Sequence, residues 1–191
     1  DLPTLRTIHT KWNPKIFAPL GNAKYLKSRR IAGAIDMDWW DQIILAPDVS
    51  LVCVPAQHFS SRSLTDRNTT LWCGFVIETP TGPIYFAGDS GYGAFIEKIR
   101  EKYKSFRLAF LPIGAFRPEW FMSIVHMSPD QAMQVHRELN VGISVATHFG
   151  TFKLADDTQD EAPDRIRHLR KEGGTAANFF VLDNGESFEL E

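Results

Sequence analysis

The run LWCGFVIETPTGPIYFAGDSGYG, residues 71–93, carries two apolar stretches, one turn and an abrupt polar ending. Leu71 to Glu78 and Ile84 to Ala87 are rich in Phe, Ile, Val and Tyr, which suit a pleated, half-buried surface. Between them, Thr79-Pro80-Thr81-Gly82-Pro83 has the chemistry of a turn, so the two strands are expected to form a hairpin. The second strand then stops at Gly88 and Asp89. A carboxylate directly after a glycine sits where the backbone can approach a ligand closely.

Two other stretches share this design. LVCVPAQ (residues 51–57) runs into His58, and ISVAT (residues 143–147) runs into His148. Ligand sites collect at strand ends in layered α/β folds, because the sheet fixes the roots of loops that are free to vary. Imidazole and carboxylate together suit zinc and related divalent ions. Each residue alone has a plainer reading: a structural histidine, or an aspartate that caps a turn or helix. Their common placement is what raises a metal site. The loop GDSGYG (residues 88–93) also invites a phosphate-binding reading, but it lacks the spacing of a dinucleotide or Walker loop.

Working outward, helices are expected over residues 3–12, 25–32, 93–103, 129–139 and 164–171. Further strands are expected over residues 16–19, 42–46, 49–55, 108–112, 141–147 and 179–182. Ser128-Pro129-Asp130-Gln131 is a well-formed helix start, with Ser at the cap, Pro in first position and Gln three residues on. Strands alternating with helices give a layered α/β fold. His9, His136 and His168 lie on expected helices among polar neighbours, and are read as exposed residues without a metal role.

The chain has 191 residues, 43% hydrophobic and 23% charged, which is an ordinary globular composition for one domain. A net charge of -2 gives no global field that would favour nucleic acid. Lys24, Lys27, Arg29 and Arg30 read as a solvated helix face, with a phosphate or lipid headgroup contact as the alternative. Cys53 and Cys73 sit in apolar runs and read as buried free thiols, which fits a reducing, cytoplasmic location. No transmembrane run of apolar residues occurs.

The segments PAQHFSSRSLTDRNTTLW, FAGDSGY, LPIGAFRPEWFM, HMSPDQA and ATHFGTF follow one another in this order. Together with Asp38-Trp39-Trp40 and FFVLDNGES, they resemble the N-acyl-phosphatidylethanolamine phospholipase D group of the metallo-β-lactamase superfamily. The resemblance implies a four-layer αββα sandwich, of which this chain is mainly the C-terminal portion. It implies two divalent ions, zinc by preference. By motif, His58 resembles a ligand of one ion, Asp89 the carboxylate bridging both, and His148 a ligand of the other. His126 resembles a histidine of the substrate site rather than a primary ligand. The stretch containing Phe116, Trp120, Phe121 and Met122 reads either as a surface for acyl chains or as core packing.

The superfamily hallmark H-x-H-x-D-H, which supplies four further ligands, does not occur in this sequence. The expectation is therefore a single domain over residues 1–191 that is incomplete at its N-terminus, with those ligands upstream of Asp1. The implied function is a zinc phosphodiesterase acting on an N-acyl-phosphatidylethanolamine-type phospholipid, through a hydroxide shared by the ions. Asp89 and His126 would be the catalytic groups, and His126, Trp120 and Phe121 the substrate contacts. The alternatives are a non-catalytic module of the same fold, and a lactonase or sugar-phosphate hydrolase. A small-molecule or lipid substrate, peripheral membrane contact, and either a homodimer or the missing N-terminal part as partner complete the expectation.

Overall fold

The computed structural model describes residues 1–190. The chain opens with helix α1 (Leu2–Trp12), capped by the Asp1 carboxylate, which accepts from the Thr4 amide at 2.9 Å. Next come β1 (Ile16–Pro19), α2 (Asn22–Ser28) and β2 (Ala34–Met37), in which the two strands pair in parallel. Helix α2 starts at Asn22, three residues ahead of the sequence expectation. The reason is a cap from a distance: Asp36, on β2, accepts from the amides of Gly21 at 3.0 Å and Ala23 at 2.7 Å. A strand as short as β2 leaves little periodicity to read, and it was not anticipated.

The main sheet has seven strands: β3 (Gln42–Ala46), β4 (Val49–Val54), β5 (Gly74–Glu78), β6 (Ile84–Phe86), β7 (Phe106–Pro112), β8 (Val141–Thr147) and β9 (Phe179–Phe180). They lie in sequence order, antiparallel from β3 to β6 and parallel from β6 to β9. The parallel half needs crossovers. These contain α3 (Phe95–Lys102), then α4 (Glu119–Met122) and α5 (Pro129–Glu138), then α6 (Glu161–Arg170) and a 3-10 turn (Gly174–Asn178). The expected hairpin and the helix start at Ser128 are both present, the latter as a full capping box with Gln131. Helix α6 begins at Glu161 rather than Asp164, since Pro163 is tolerated in a first turn.

The sheet register explains the core. Val52, Val76, Tyr85, Ala109, Ser144 and Phe179 are successive partners across six strands, and every one is fully buried. Ile96, Ile99, Met133, Val135, Ile166 and Leu169 from α3, α5 and α6 belong to the same core cluster. The neighbouring row, Cys53, Phe75, Phe86, Phe110, Val145 and Phe180, has the opposite parity and so faces away. It is just as apolar, yet Phe86 is 47% exposed. Phe17, Met37, Ile43 and Cys73 cluster with Cys53 and Phe75 at one end of that face. One helical layer on a mixed sheet with a second apolar face is the αβ half of the expected sandwich.

His136 departs from the sequence reading. It is fully buried on α5, facing β8, where Nδ1 lies 2.8 Å from Ser144 Oγ and Nε2 lies 2.8 Å from the Thr175 carbonyl. Its neighbours in sequence, Gln134 and Arg137, are exposed, so local polarity misjudged a side chain that points inward. His168 is exposed and His9 half-buried.

Candidate metal centre

Strands β4, β6 and β8 all run the same way, since β5 reverses once and β6 reverses back. Their C-terminal ends therefore open on one edge of the sheet. His58 follows β4 after Pro55-Ala56-Gln57, Asp89 follows β6 after Ala87-Gly88, and His148 directly follows β8. Topology alone thus brings these residues to one place.

Close backbone packing sets their final positions. Gly88 has φ +70°, and a Cβ there would lie 3.0 Å from the Cys73 carbonyl oxygen. Gly114, in the loop after β7, is tighter still, as a Cβ there would lie 2.3 Å from the His148 carbonyl oxygen. His148 itself takes a left-handed conformation, φ 58°, which non-glycine residues adopt mainly where their surroundings impose it. Ser90, fully buried, ties the loops together. Its hydroxyl accepts from the Gln57 amide at 2.9 Å, and its carbonyl accepts from the Met127 amide at 3.0 Å. The Gly91 amide donates to the Gln57 carbonyl at 2.8 Å, so the GDSG loop serves as a structural junction.

The result is a carboxylate ringed by three imidazoles. Asp89 Oδ2 lies 3.3 Å from His58 Nε2 and 3.3 Å from His148 Nε2, while Oδ1 lies 3.0 Å from His126 Nδ1. The ligand atoms of His58, Asp89 and His126 all fall within 4.8 Å of one another. His126, expected only as a substrate-site residue, thus comes nearer to Asp89 than either expected ligand does. It lies in the turn after α4, its amide donating to the Met122 carbonyl at 2.8 Å. The rings of His126 and His148 stack at 5.2 Å, and that of His58 stands edge-on to His126 at 5.3 Å.

Four atoms of this cluster, His58 Nε2, Asp89 Oδ1, His126 Nδ1 and His148 Nδ1, are buried without an aligned hydrogen bond. Of these, His58 Nε2, Asp89 Oδ1 and His126 Nδ1 belong to the contacts within the cluster, whereas His148 makes its contact through Nε2. Buried polar atoms are otherwise satisfied almost always, so the arrangement fits a cation between them. Burial alone would push the Asp89 carboxyl up, but the three histidines outweigh it and hold the group far below the usual carboxylate range. For His58, burial is likewise outweighed, by the Asp89 carboxylate and the Phe59 carbonyl, and its pKa rises. That of His148 rises because of Asp89, against burial.

Trp120 and Phe121 stand on α4, 81% and 59% exposed, whereas Phe116 is buried. The core reading therefore holds for Phe116, and Trp120 and Phe121 are left open to solvent. An open cleft of about 680 Å³ adjoins the centre at His148, lined also by Gly114, Phe149, Phe152, Leu154 and Asp157. The sequence reading missed this cleft, together with Ser90 and Gln57, since nothing local marks a loop that folds back on a distant strand end. Among the described residues, no helix is long and apolar enough to cross a membrane.

Comparison with known proteins follows the same line. A family profile described as "Beta-lactamase superfamily domain" matches residues 1–149. The chain is 32% identical over 194 residues to N-acyl-phosphatidylethanolamine-hydrolyzing phospholipase D 1 of Caenorhabditis elegans, covering 94% of this chain and 54% of the relative. It is 31% identical to the mitochondrial N-acyl-phosphatidylethanolamine-hydrolyzing phospholipase D of Saccharomyces cerevisiae, covering 98% of this chain and 41% of the relative. The chain thus spans about half the length of these relatives. Among solved structures, Igni18, a metallo hydrolase from Ignicoccus hospitalis, superposes with a TM-score of 0.71 at 22% identity, covering 97% of this chain and 73% of that one. Isothiocyanate hydrolase from Delia radicum gut bacteria gives 0.70 at 18% identity, covering 92% and 66%.

Proposed function

Because this chain belongs to the metallo-β-lactamase superfamily, we propose that it is the part of a metal-dependent hydrolase that carries His58, Asp89 and His148 as metal ligands, within one domain over residues 1–191. The observation that carries this reading is the convergence of three imidazoles on one half-buried carboxylate that they hold ionised. The donor set of nitrogen and carboxylate oxygen suits zinc. A divalent ion there would supply Lewis-acid polarisation of the substrate and activation of a water.

The chain's own groups have distinct tasks. Asp89 offers two oxygens to opposite sides of the cluster, so it can bridge. His58 and His148 approach the same oxygen from two strand ends. His126 is the group placed to hold a proton for a departing alcohol, being an imidazole beside the centre on a loop that also carries α4. Trp120 and Phe121, exposed on that helix, offer a surface to an acyl chain. Together with the two named phospholipase relatives, this favours a phosphodiester bond in an N-acyl-phosphatidylethanolamine-type lipid as the scissile bond.

The test is made on the full-length protein, by elemental analysis and by turnover of such a lipid beside a lactone and a sugar phosphate. Wild type is expected to bind zinc and cleave the lipid. Asp89→Asn is expected to lose metal and to lose activity on the order of 100-fold or more, beyond what removal of an outer-shell partner does. Full metal content and turnover in Asp89→Asn would sink the site assignment. Preference for the lactone or the sugar phosphate would overturn the substrate.

A further inference from the structure

We propose that Phe59 and Arg67 form an orienting stack for His58, which fixes its ring plane and its tautomer so that Nε2 is the nitrogen offered to a metal. The proposal rests on the reading of His58 as a ligand. It adds two positioning residues to the ligands already proposed.

Phe59 grips His58 twice. Its ring lies 4.8 Å from the imidazole at an interplanar angle of 6°, a nearly parallel stack. Its carbonyl lies 2.9 Å from His58 Nδ1. A carbonyl can only accept, so Nδ1 carries the proton and Nε2 keeps its lone pair. That lone pair then faces Asp89 Oδ2 at 3.3 Å. A carbonyl or carboxylate on the far nitrogen is the usual means by which a ligating histidine is held in register.

Arg67 also lies over the Phe59 ring, its guanidinium carbon 4.5 Å from the ring centre. Eight residues separate the two in sequence, and the loop between them is closed by Ser60. The Ser60 carbonyl accepts from the Asn68 amide at 2.7 Å, and its hydroxyl donates to the Thr70 carbonyl at 2.6 Å. Asn68 has φ 58°, turning the chain back just after Arg67. Arg67 is exposed, pairs with no carboxylate among the described residues, and sets its guanidinium against the Phe59 ring. A planar cation on an aromatic face restrains the ring that in turn restrains His58.

The experiment uses the full-length protein with four variants: Phe59→Leu, Phe59→Trp, Arg67→Gln and Arg67→Lys. Zinc affinity is measured by competition with a chromophoric chelator. The nitrogen shifts of His58 are measured by NMR in the metal-free protein, above the range in which histidine titrates. Phe59→Leu is expected to weaken zinc binding about tenfold and to mix the two tautomers, while Phe59→Trp, which keeps the stack, restores both. Arg67→Gln is expected to weaken binding about two- to fivefold, with Arg67→Lys close to wild type. Arg67 is exposed, so its variants report even where a Phe59 variant does not fold. If wild type binds no zinc, the ligand reading fails. If wild type binds zinc and Phe59→Leu and Arg67→Gln match it in affinity and tautomer, the stack alone is overturned.

Discussion

Gly114→Ala should damage the metal centre from behind, without touching a ligand side chain. The added methyl would lie 2.3 Å from the His148 carbonyl oxygen and 3.2 Å from Phe149 Cα. Ordinary contact begins at 3.4 Å, so about 1 Å of separation must open between two stretches of backbone. The backbone at Gly114 is not in the left-handed region, so the effect is one of space rather than strain. Both flanks are anchored: Ile113 donates to the Thr147 carbonyl at 3.1 Å, and the Ala115 amide donates to Asp157 at 3.1 Å. The loop carrying His148 must therefore give way, and His148 Nε2 leaves its place 3.3 Å from Asp89. Overpacking of this kind costs about 2 kcal/mol, or roughly 4–8 °C in melting temperature for a chain of this size. A misplacement of about 1 Å at a reacting centre costs on the order of 100-fold in rate. The assay pairs chelator competition and turnover with a thermal melt. Gly174→Ala is the control: its φ is +60° with nothing within 4 Å, so it should lose a similar amount of stability and no metal affinity. Loss of stability in Gly114→Ala with wild-type zinc affinity would refute the role of His148. An unchanged melt would refute the close approach itself.

Two further outcomes concern the helical layer. Ser128→Ala should cost about 1 kcal/mol in denaturant unfolding, because Ser128 Oγ accepts from the Gln131 amide at 3.3 Å and the Ser128 amide donates to Gln131 Oε1 at 3.0 Å; an unchanged midpoint would show the cap to be idle. Burial lowers the pKa of His136, with Arg137 adding to the effect and the Thr175 carbonyl opposing it. A folded value below the unfolded one means that the unfolded chain binds the proton first. The contribution of His136 is thus fully present above about pH 6.5 and is lost as pH falls below it towards the folded value. His136→Gln should flatten that limb of the stability profile relative to wild type, and an unaltered limb would show that His136 does not titrate on unfolding.

The parts of the fold that were legible in the sequence are those specified by neighbours along the chain. The hairpin of β5 and β6 is two apolar runs around a five-residue turn. The start of α5 is four residues of capping chemistry. The strand ends at His58, Asp89 and His148 are visible because each apolar run stops on a polar residue. The parts that were not legible depend on partners far away in sequence. Helix α2 starts where Asp36 supplies a cap, thirteen residues beyond Ala23. His136 is buried because Ser144 and Thr175 await it, across eight and thirty-nine residues. Arg67 meets the Phe59 ring only because Ser60 closes the loop between them. Nothing in a local window marks such contacts, since the residue types concerned are also common on surfaces.

If the cluster around Asp89 holds a metal, as proposed, its charge balance would favour a cation. Burial alone would favour the protonated form of the half-buried Asp89 carboxyl. Here the reverse holds, as three imidazoles keep Asp89 ionised. Those imidazoles are held by the same charge, which raises the pKa of His58 and His148. Without a metal, protons on His58 and His148 are favoured by the carboxylate. With His58 Nδ1 committed to the Phe59 carbonyl, a proton can reach that ring only at Nε2, the atom that would bind a metal. Proton and metal would therefore compete for one lone pair, and binding of a metal would release protons. That competition would favour the metal as pH rises through the range of His58 and His148, because Asp89 is already ionised. The feature that makes the site stable when protonated, one carboxylate shared among three rings, is also what leaves it prepared for a divalent ion once those protons depart.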